Sequence, residues 1–557
     1  MMINNSKISL GFFIFSALIA QAQAETVQNT QVSYPTHSGI SRARDITNVS
    51  RFVSTVVDDE IAQSVTTDHF QMPAYILGNQ NDPALQTLAN PRQINTNAPI
   101  SSHFAGLGLD FPGFSLIANV PDSEGSVGKT QYVQWVNISY VVFDKVTHVV
   151  LAGPNPGNAL FVGLPETSLC RTENNGDPMV KYDQFANRWV MSQFAKKIDG
   201  NPTKSQFAQC IAVSATDDAT GDWYVWQYDY LSFNDYPKLG LWSDAYFITY
   251  DMYDKTTTSS TYTGVKSCAF ERNVMLFGNP SPKTICHDIT KTDLNENLIL
   301  LPADLDGKRP PPVGAPNPQF IAVIDENSKA WLWRYQFKVD FEHDTSEFTG
   351  PTKIEVAQYI PCYYPESYPS FCVTQPDTDQ KLDTIMFALM NRVAYRNFGT
   401  YESVVLTHSV KAQDLAGERT GVRWYEIRRP NAATPLVYQQ STFSPDTDHR
   451  WMSSAAMDKL GNILIGYSRS SSVTYPSIYY TGRLRSEPLN YLQTEAPIMI
   501  GSGSQTNNGR WGDYSAMSID PVDDCTFWYT QEYLESPNSE SKSWKTRIAS
   551  MKFKNCK

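Results

Sequence analysis

The 557-residue chain contains no Cys-x-x-Cys pair, no His-Glu-x-x-His motif and no Gly-x-Ser-x-Gly elbow. Each absence argues against a class of chemistry. Without Cys-x-x-Cys spacing, a structural zinc held by thiolates is disfavoured. Eight histidines scattered singly, with no pair four residues apart, disfavour a histidine-rich zinc site. The nearest approach to a nucleophile elbow, Gly501-Ser502-Gly503-Ser504-Gln505, lacks the final glycine. There is no run of Lys or Arg either. With 45 basic and 57 acidic residues the net charge is −12, which repels phosphate backbones and anionic membranes, so no nucleic acid partner is expected. Charged residues make up only 18% of the chain and aromatics 12%, a balance that suits a β-rich exported protein.

Long apolar runs are also missing, with one exception at the N-terminus. Lys7 is followed by Ile8–Ala20, and then by Ala22-Gln23-Ala24. A cationic head, a short apolar middle and a small-x-small exit are the parts of a secretory signal. The 13-residue run is too short for a hydrocarbon core that needs roughly 20. Residues 1–24 are therefore expected to be cleaved and the mature protein to be secreted, with periplasmic or cell-surface retention as alternatives. Loss of Lys7 makes the mature chain one unit more acidic. The eight cysteines all follow this segment, and an even number in an exported chain points to disulfides. Sequence cannot fix the connectivity. Neighbour pairing predicts 170–210, 268–286, 362–372 and 525–556, that is Cys170, Cys210, Cys268, Cys286, Cys362, Cys372, Cys525 and Cys556.

Residues 25–105 are rich in Thr, Asn, Gln, Ser and Pro, and read as a poorly structured leader, a pro-region or a packing arm. One helix candidate there has Asn48 or Ser50 as its cap and Phe52, Val56, Val57 and Ile61 on one face. Arg42-Ala43-Arg44 is a possible processing site or an ordinary exposed loop. Residues 106–557 have a different texture. Short β-branched and aromatic runs such as Gln131–Val136, Trp189–Phe194, Phe320–Ile324 and Asn462–Tyr467 recur between Gly, Pro, Asn and Asp. This spacing predicts an all-β sandwich, barrel or propeller, and the length favours a propeller, which grows by adding blades. Trp242–Asp251 aligns without gaps on Trp511–Asp520, each with aspartates two and nine residues after the tryptophan, as an internal repeat would. Strand clusters near 130–162, 177–230, 236–278, 298–341, 353–428, 435–485 and 511–553 predict seven blades, with six or eight as alternatives. The strand Thr546–Phe553 is expected to complete the last blade.

Several segments resemble an uncharacterised family of exported bacterial propeller-like proteins. They are Pro121–Gly128 with Tyr132–Asn137, Gly176-Asp177-Pro178 through Tyr182-Asp183 to Arg188-Trp189, Asp235–Gly240, Leu301–Gly307, Tyr395–Gly399, and Arg510–Tyr514 running into Asp520–Tyr529. The resemblance spans roughly 105–535 and leaves out the leader. It implies fold and export, and no reaction.

The candidate chemistry centres on Asp122, Asp177, Asp244 and Asp513, each of which follows a turn-forming residue and precedes a strand. If those strands were innermost in different blades, the carboxylates would converge at one mouth of the ring. There they would favour a hard cation, Ca²⁺ or Mg²⁺, with Asp177, Asp244 and Asp513 as ligands, or would raise one another's pKa. The alternative is that each caps a turn. Arg188, Arg450 and Arg510 each precede a tryptophan and are candidates to meet a ligand carboxylate, or are blade residues paired within the sheet. Ser214–Trp223 approximates the Asp-box turn of sialidase-type propellers with altered spacing. Tyr228, Tyr230, Tyr363, Tyr364, Tyr479 and Tyr480 are candidate sugar-stacking faces. Three functions remain open: a monomeric propeller binding an extracellular glycan or protein at one face, a carbohydrate-active hydrolase or lyase using carboxylates at the channel mouth, and a structural surface or scaffold protein.

Overall fold

The computed structural model describes residues 31–49, 81–86, 98–116, 118–199, 202–255, 260–291, 299–324, 329–361, 371–385, 388–414, 417–431, 433–506, 508–535 and 543–557. The signal segment and most of the helix candidate lie outside these residues, as does Cys362.

The chain is all-β. Its first sheet comprises Ser123–Val127, Gln131–Val136, Ser139–Asp144 and Val150–Pro156 in chain order. The second comprises Met179–Asp183, Arg188–Lys197, Gln206–Ser214 and Trp223–Tyr230. The third comprises Phe233–Leu241, Ala245–Lys255, Ser260–Glu271 and Thr284–Thr290. An eight-stranded fourth sheet follows. It joins Leu301–Asp306, Asn317–Ile324, Ala330–Asp340 and Thr345–Val356 to Val393–Asn397, Tyr401–Asp414, Gly417–Pro430 and Leu436–Phe443. Each half is an antiparallel meander, and the two meet where Leu301–Asp306 pairs in parallel with Val393–Asn397. His449–Met457, Ile463–Ser470, Ser477–Arg483 and Ala496–Met499 form the fifth sheet. The sixth runs Ala516–Ile519, Thr526–Leu534, Trp544–Lys552 and then Ile100–Ala105.

The first strands of successive meanders touch one another, and Ala516–Ile519 touches Ser123–Val127, so the arrangement closes into a propeller-like ring. Sheets stacked face to face bury both sides of their strands. Every residue of Gln131–Val136 and of His449–Met457 is buried. The runs in the sequence are correspondingly continuous rather than alternating.

The described parts of 25–105 depart from the expectation of a poorly structured leader. Gln31–Ser33 pairs with Thr284–Cys286, His37–Ser41 extends the second sheet along Trp223–Gln227, and Ile100–Ala105 forms the outer strand of the sixth sheet. Asp82 meets Arg423 at 2.7 Å with both side chains almost fully buried. These strands are short and polar, and their pairing is dictated by sheet edges that only the folded ring supplies. The C-terminal strand Trp544–Lys552 is therefore third in its sheet, and Ile100–Ala105 completes it. A helix covers Ala43–Val49, so Asn48, one of the two expected caps, lies inside a helix instead of starting one.

Disulfides join Cys170–Cys210, Cys268–Cys286 and Cys525–Cys556 as neighbour pairing predicts. The expected pair 362–372 includes a residue outside the described set. Among the described residues, no helix is long and apolar enough to cross a membrane.

Candidate ligand-binding site

Four first strands share one local device. Asp122 (φ 43°), Asp177 (φ 48°), Tyr236 (φ 50°) and Met452 (φ 50°) take left-handed backbone at or near the start of the first strand of the first, second, third and fifth sheets. Aspartate enters this region with least penalty; tyrosine and methionine do so at a cost of order 1–2 kcal/mol. In the third and fifth sheets the pairing slips at the same place, between Asp235 and Lys238 and between Trp451 and Ser454. Such bulges bend a strand and re-aim its side chains. Left-handed backbone shared by four first strands marks that end as a candidate site.

At this end Asp122, Asp177, Asp235 and Asp513 converge from four sheets. The backbone N–H of Asp513 donates to Asp122 Oδ1 at 2.7 Å, and Asn137 Nδ2 donates to Asp122 Oδ2 at 3.1 Å. Tyr514 donates its hydroxyl to Asp177 Oδ2 at 2.9 Å, and Tyr236 donates to the Asp513 carbonyl at 3.3 Å. Beneath them lies Lys238, 1% exposed. Its ammonium sits 2.8 Å from the ring centroid of Tyr236 and 4.0 Å from that of Tyr514, an aromatic sandwich that stabilises a cation. Arg510 bonds Asp513 at 2.6 Å and Asp383 at 3.4 Å. Asp177, Asp235, Asp513 and Arg510 are half-buried and form the solvent side of the cluster.

Burial and mutual repulsion make these carboxylates reluctant to ionise. Burial, then the charges of Asp513 and Asp177, holds Asp122 well above the usual carboxylate range. Burial followed by repulsion from Asp235 and Asp513 pushes Asp177 up to about 7. Burial also raises Asp235 and Asp513. The same burial lowers Lys238 to about 7, against the pull of Asp177, Asp251, Asp513 and Glu124. Glu124, fully buried in the strand Ser123–Val127, is pushed up to about 7 by burial.

The structure thus brings together Asp122, Asp177, Asp513 and Arg510 of the predicted residues. It separates Asp244 and Arg188 from them. Asp244 lies in the turn between Phe233–Leu241 and Ala245–Lys255, where its nearest cation is Arg272. Arg272 binds Asp183, the last residue of the strand that Asp177 precedes, so Asp244 and Asp177 are roughly 20 Å apart along that strand. Arg188 opens the next strand from the same far turn and donates to the carbonyls of Ala186 and Asn187. The aligned segments Trp242–Asp251 and Trp511–Asp520 are not structural equivalents. The first leads into the second strand of its sheet and the second leads into the first strand of its sheet. What they share is a buried tryptophan before a turn. Asp177, Asp244 and Asp513 therefore do not form a cation site together, and no group of three His, Cys, Asp or Glu among the described residues is arranged to hold a metal ion. Arg450 is fully buried and pairs with Asp446 and Glu495. The Asp-box-like segment is a hairpin turn in which Asp218 accepts from Thr220 and Gln131.

Asp235, Tyr236, Lys238 and Tyr514 were not singled out as site residues from the sequence. A signal was present: Asp235-Tyr236-Pro237-Lys238 places proline and two charges at the start of an otherwise apolar strand.

No family model matches the chain, and no curated protein matches it. Among solved structures it is similar to a protein of unknown function from Dyadobacter fermentans, at 10% identity and TM-score 0.35, over 68% of this chain and 94% of that one. It is also similar to a polysaccharide lyase, an ulvan lyase bound to -[GlcA(1-4)Rha3S]-, at 11% identity and TM-score 0.33, over 82% of this chain and 95% of that one. A Trypanosoma rangeli sialidase in complex with the inhibitor DANA matches at 10% identity and TM-score 0.31, over 67% of this chain and 54% of that one. These likenesses are loose, and the ring of sheets stands on its own strand pairing.

Proposed function

We propose that the protein is an exported, seven-bladed propeller that binds a saccharide at the face where Asp122, Asp177, Asp235 and Asp513 converge. The eight-stranded sheet is then two blades fused through their first strands. The observation that carries this reading is the convergence of four carboxylates from four sheets around two tyrosines. Carboxylates accept pairs of sugar hydroxyls, and tyrosine supplies an apolar ring face with a polar edge. Disulfides suit an oxidising, extracellular setting. Incubating the mature protein with a broad glycan library, and reading both retention and new masses, tests it. Retained glycans support the reading; silence in both channels contradicts it.

Catalysis at the same face is the second reading. It is favoured by Asp177, pushed up to about 7 by burial and neighbouring carboxylates, and by Lys238, lowered to about 7 by burial, with the Tyr514 hydroxyl bonding Asp177. Shortened or unsaturated products would establish it, and their absence from retained glycans would leave binding as the sole activity.

A further inference from the structure

We propose that this face reads the end of a saccharide chain and not its interior: a hairpin closes one side of the face, and the chain enters from the side opposite. The inference rests on the seven-bladed, saccharide-binding reading and assigns the ligand its form.

Two short strands, Val373–Gln375 and Thr378–Leu382, pair as a hairpin inserted between the two halves of the eight-stranded sheet. Pro376-Asp377 makes its turn, with Asp377 in left-handed backbone (φ 58°). Proline presets the first turn residue and aspartate tolerates the second. The insertion stays with neither half. Ile360 bridges Lys411 near the end of Tyr401–Asp414, and the hairpin then rests on the fifth sheet and the connection that leaves it. Ser470 donates to the Thr374 carbonyl at 2.9 Å, Tyr475 to Asp377 at 2.7 Å, and Ser504 to the Pro376 carbonyl at 2.7 Å. His449–Met457 starts at the carboxylate face, so Ile463–Ser470 returns to it and the turn 471–476 lies there. The hairpin therefore stands on that face.

The hairpin is fixed, and it reaches the site. Gln375 and Gln505 are each 3% exposed. The Gln375 amide pairs with the Gln505 backbone as another strand would, Nε2 donating to the carbonyl at 3.0 Å and Oε1 accepting from the N–H at 2.8 Å. Gln505 Nε2 donates in turn to the carbonyls of Asn508 and Arg510 at 2.6 and 2.7 Å. Breaking buried bonds of this kind is costly, so the hairpin is a wall and not a lid. Just past it, the N–H of Asp383 donates to the Gly509 carbonyl at 2.8 Å. The Asp383 carboxylate meets Arg510, which holds Asp513. The opposite side is built differently. With seven first strands in contact around the ring, His449–Met457 lies across from the junction of the second and third sheets. Only Leu231 and Ser232 join those sheets, and Leu231 is fully exposed. Asp177 and Asp235 belong to the first strands on that side. A chain entering there passes Asp177 and Asp235, reaches Asp513 and Arg510, and meets the hairpin. A chain that ends at Arg510 fits, and one that continues clashes, which is selection by exclusion.

The test offers the mature chain maltohexaose, cellohexaose, chitohexaose and a galacturonate hexamer. Each is supplied free, blocked by a bulky group at its reducing end, and blocked likewise at its other end, and binding is measured by calorimetry. A hexamer that binds is expected to lose about tenfold or more in affinity when one particular end is blocked, and to be indifferent to a block at the other. A shortened chain, with residues 374–381 replaced by Asn-Gly, keeps Val373 opposite Leu382 across a two-residue turn. It is expected to bind the blocked hexamer as well as the free one, a gain that misfolding cannot produce. Equal binding of the free form and both blocked forms by the native chain would overturn end recognition and leave saccharide binding standing. A shortened chain that binds the free hexamer and still refuses the blocked one would also overturn it. If the shortened chain binds nothing, the end-blocking comparison in the native chain decides alone. Failure of every hexamer to bind, together with silence of the glycan library, would overturn the saccharide reading and this inference with it.

Discussion

The two ends of the ring treat their charged residues in opposite ways. At the end where first strands finish, charges are matched. Arg272 grips Asp183 at 2.6 and 3.1 Å, Arg396 grips Asp524 at 2.9 and 2.7 Å, and Lys145 meets Asp520 at 3.1 Å. Lys181 and Arg392 lie 3.3 and 3.2 Å from Asp304, and Arg392 also binds Asp306. Each of these pairs ties one meander to another, and a small cavity among Lys181, Asp304, Asp306 and Arg392 lies between them. At the end where first strands begin, Asp122, Asp177, Asp235 and Asp513 crowd together, and the buried Lys238 faces aromatic rings. Matched charges rivet the ring, while unmatched, strained ones cost stability. Such a departure from consistent packing is expected where a ligand completes the site.

The largest effect should come from breaking a rivet. Arg396→Ala leaves Asp524 buried without its partner and should cost about 3–5 kcal/mol of stability, read as a lower denaturation midpoint, with glycan retention unchanged. A loss of retention at unchanged stability would dissolve the contrast between the ends. Next, Asp177→Asn at the other end should remove retention, or weaken it about tenfold or more, while leaving the melting temperature equal to or above that of the native chain. A large drop in melting temperature would make Asp177 structural.

The pH dependence of stability sharpens the comparison further. Asp177, at about 7 when folded, keeps a proton that the unfolded chain releases near 3.8, so its contribution to stability falls as pH rises from about 4 to 7. Lys238, at about 7 when folded, gives up its proton before the unfolded chain does, so stability recovers between about 7 and 10.5. Melting temperature against pH should therefore dip near neutrality. The falling limb should be shallower in D177N, and an identical profile in both proteins would count against the assignment.

Tyr514→Phe removes the hydroxyl that donates to Asp177 and should weaken binding by about 1 kcal/mol. Little effect is expected from metal: EDTA or Ca²⁺ should leave the melting temperature where it is, and a rise with Ca²⁺ would restore the cation reading.

How far the sequence foretold this structure depends on how local each feature is. Three disulfides were legible because each joins cysteines that are consecutive along the chain: Cys268 and Cys286 sit on adjacent strands, and Cys170 reaches Cys210 from a short helix. The strands were legible from their β-branched and aromatic runs. Asp122, Asp177 and Asp513 were legible because an aspartate before a strand marks a turn. The same rule misplaced Asp244, since it recognises a turn without saying at which end of the ring the turn lies. Tyr236 and Lys238 were missed because their roles depend on a bulge that only packing against neighbouring sheets imposes. The edge strands Gln31–Ser33 and His37–Ser41 were missed because three and five mostly polar residues carry no periodic signal.

The most direct test of the contrast is to measure, in one experiment, glycan retention and melting temperature for the native chain, D177N and R396A. The account predicts that D177N loses retention with an undiminished melt, and that R396A keeps retention with a lowered melt. The opposite pattern, or loss of both properties together in D177N, would contradict it.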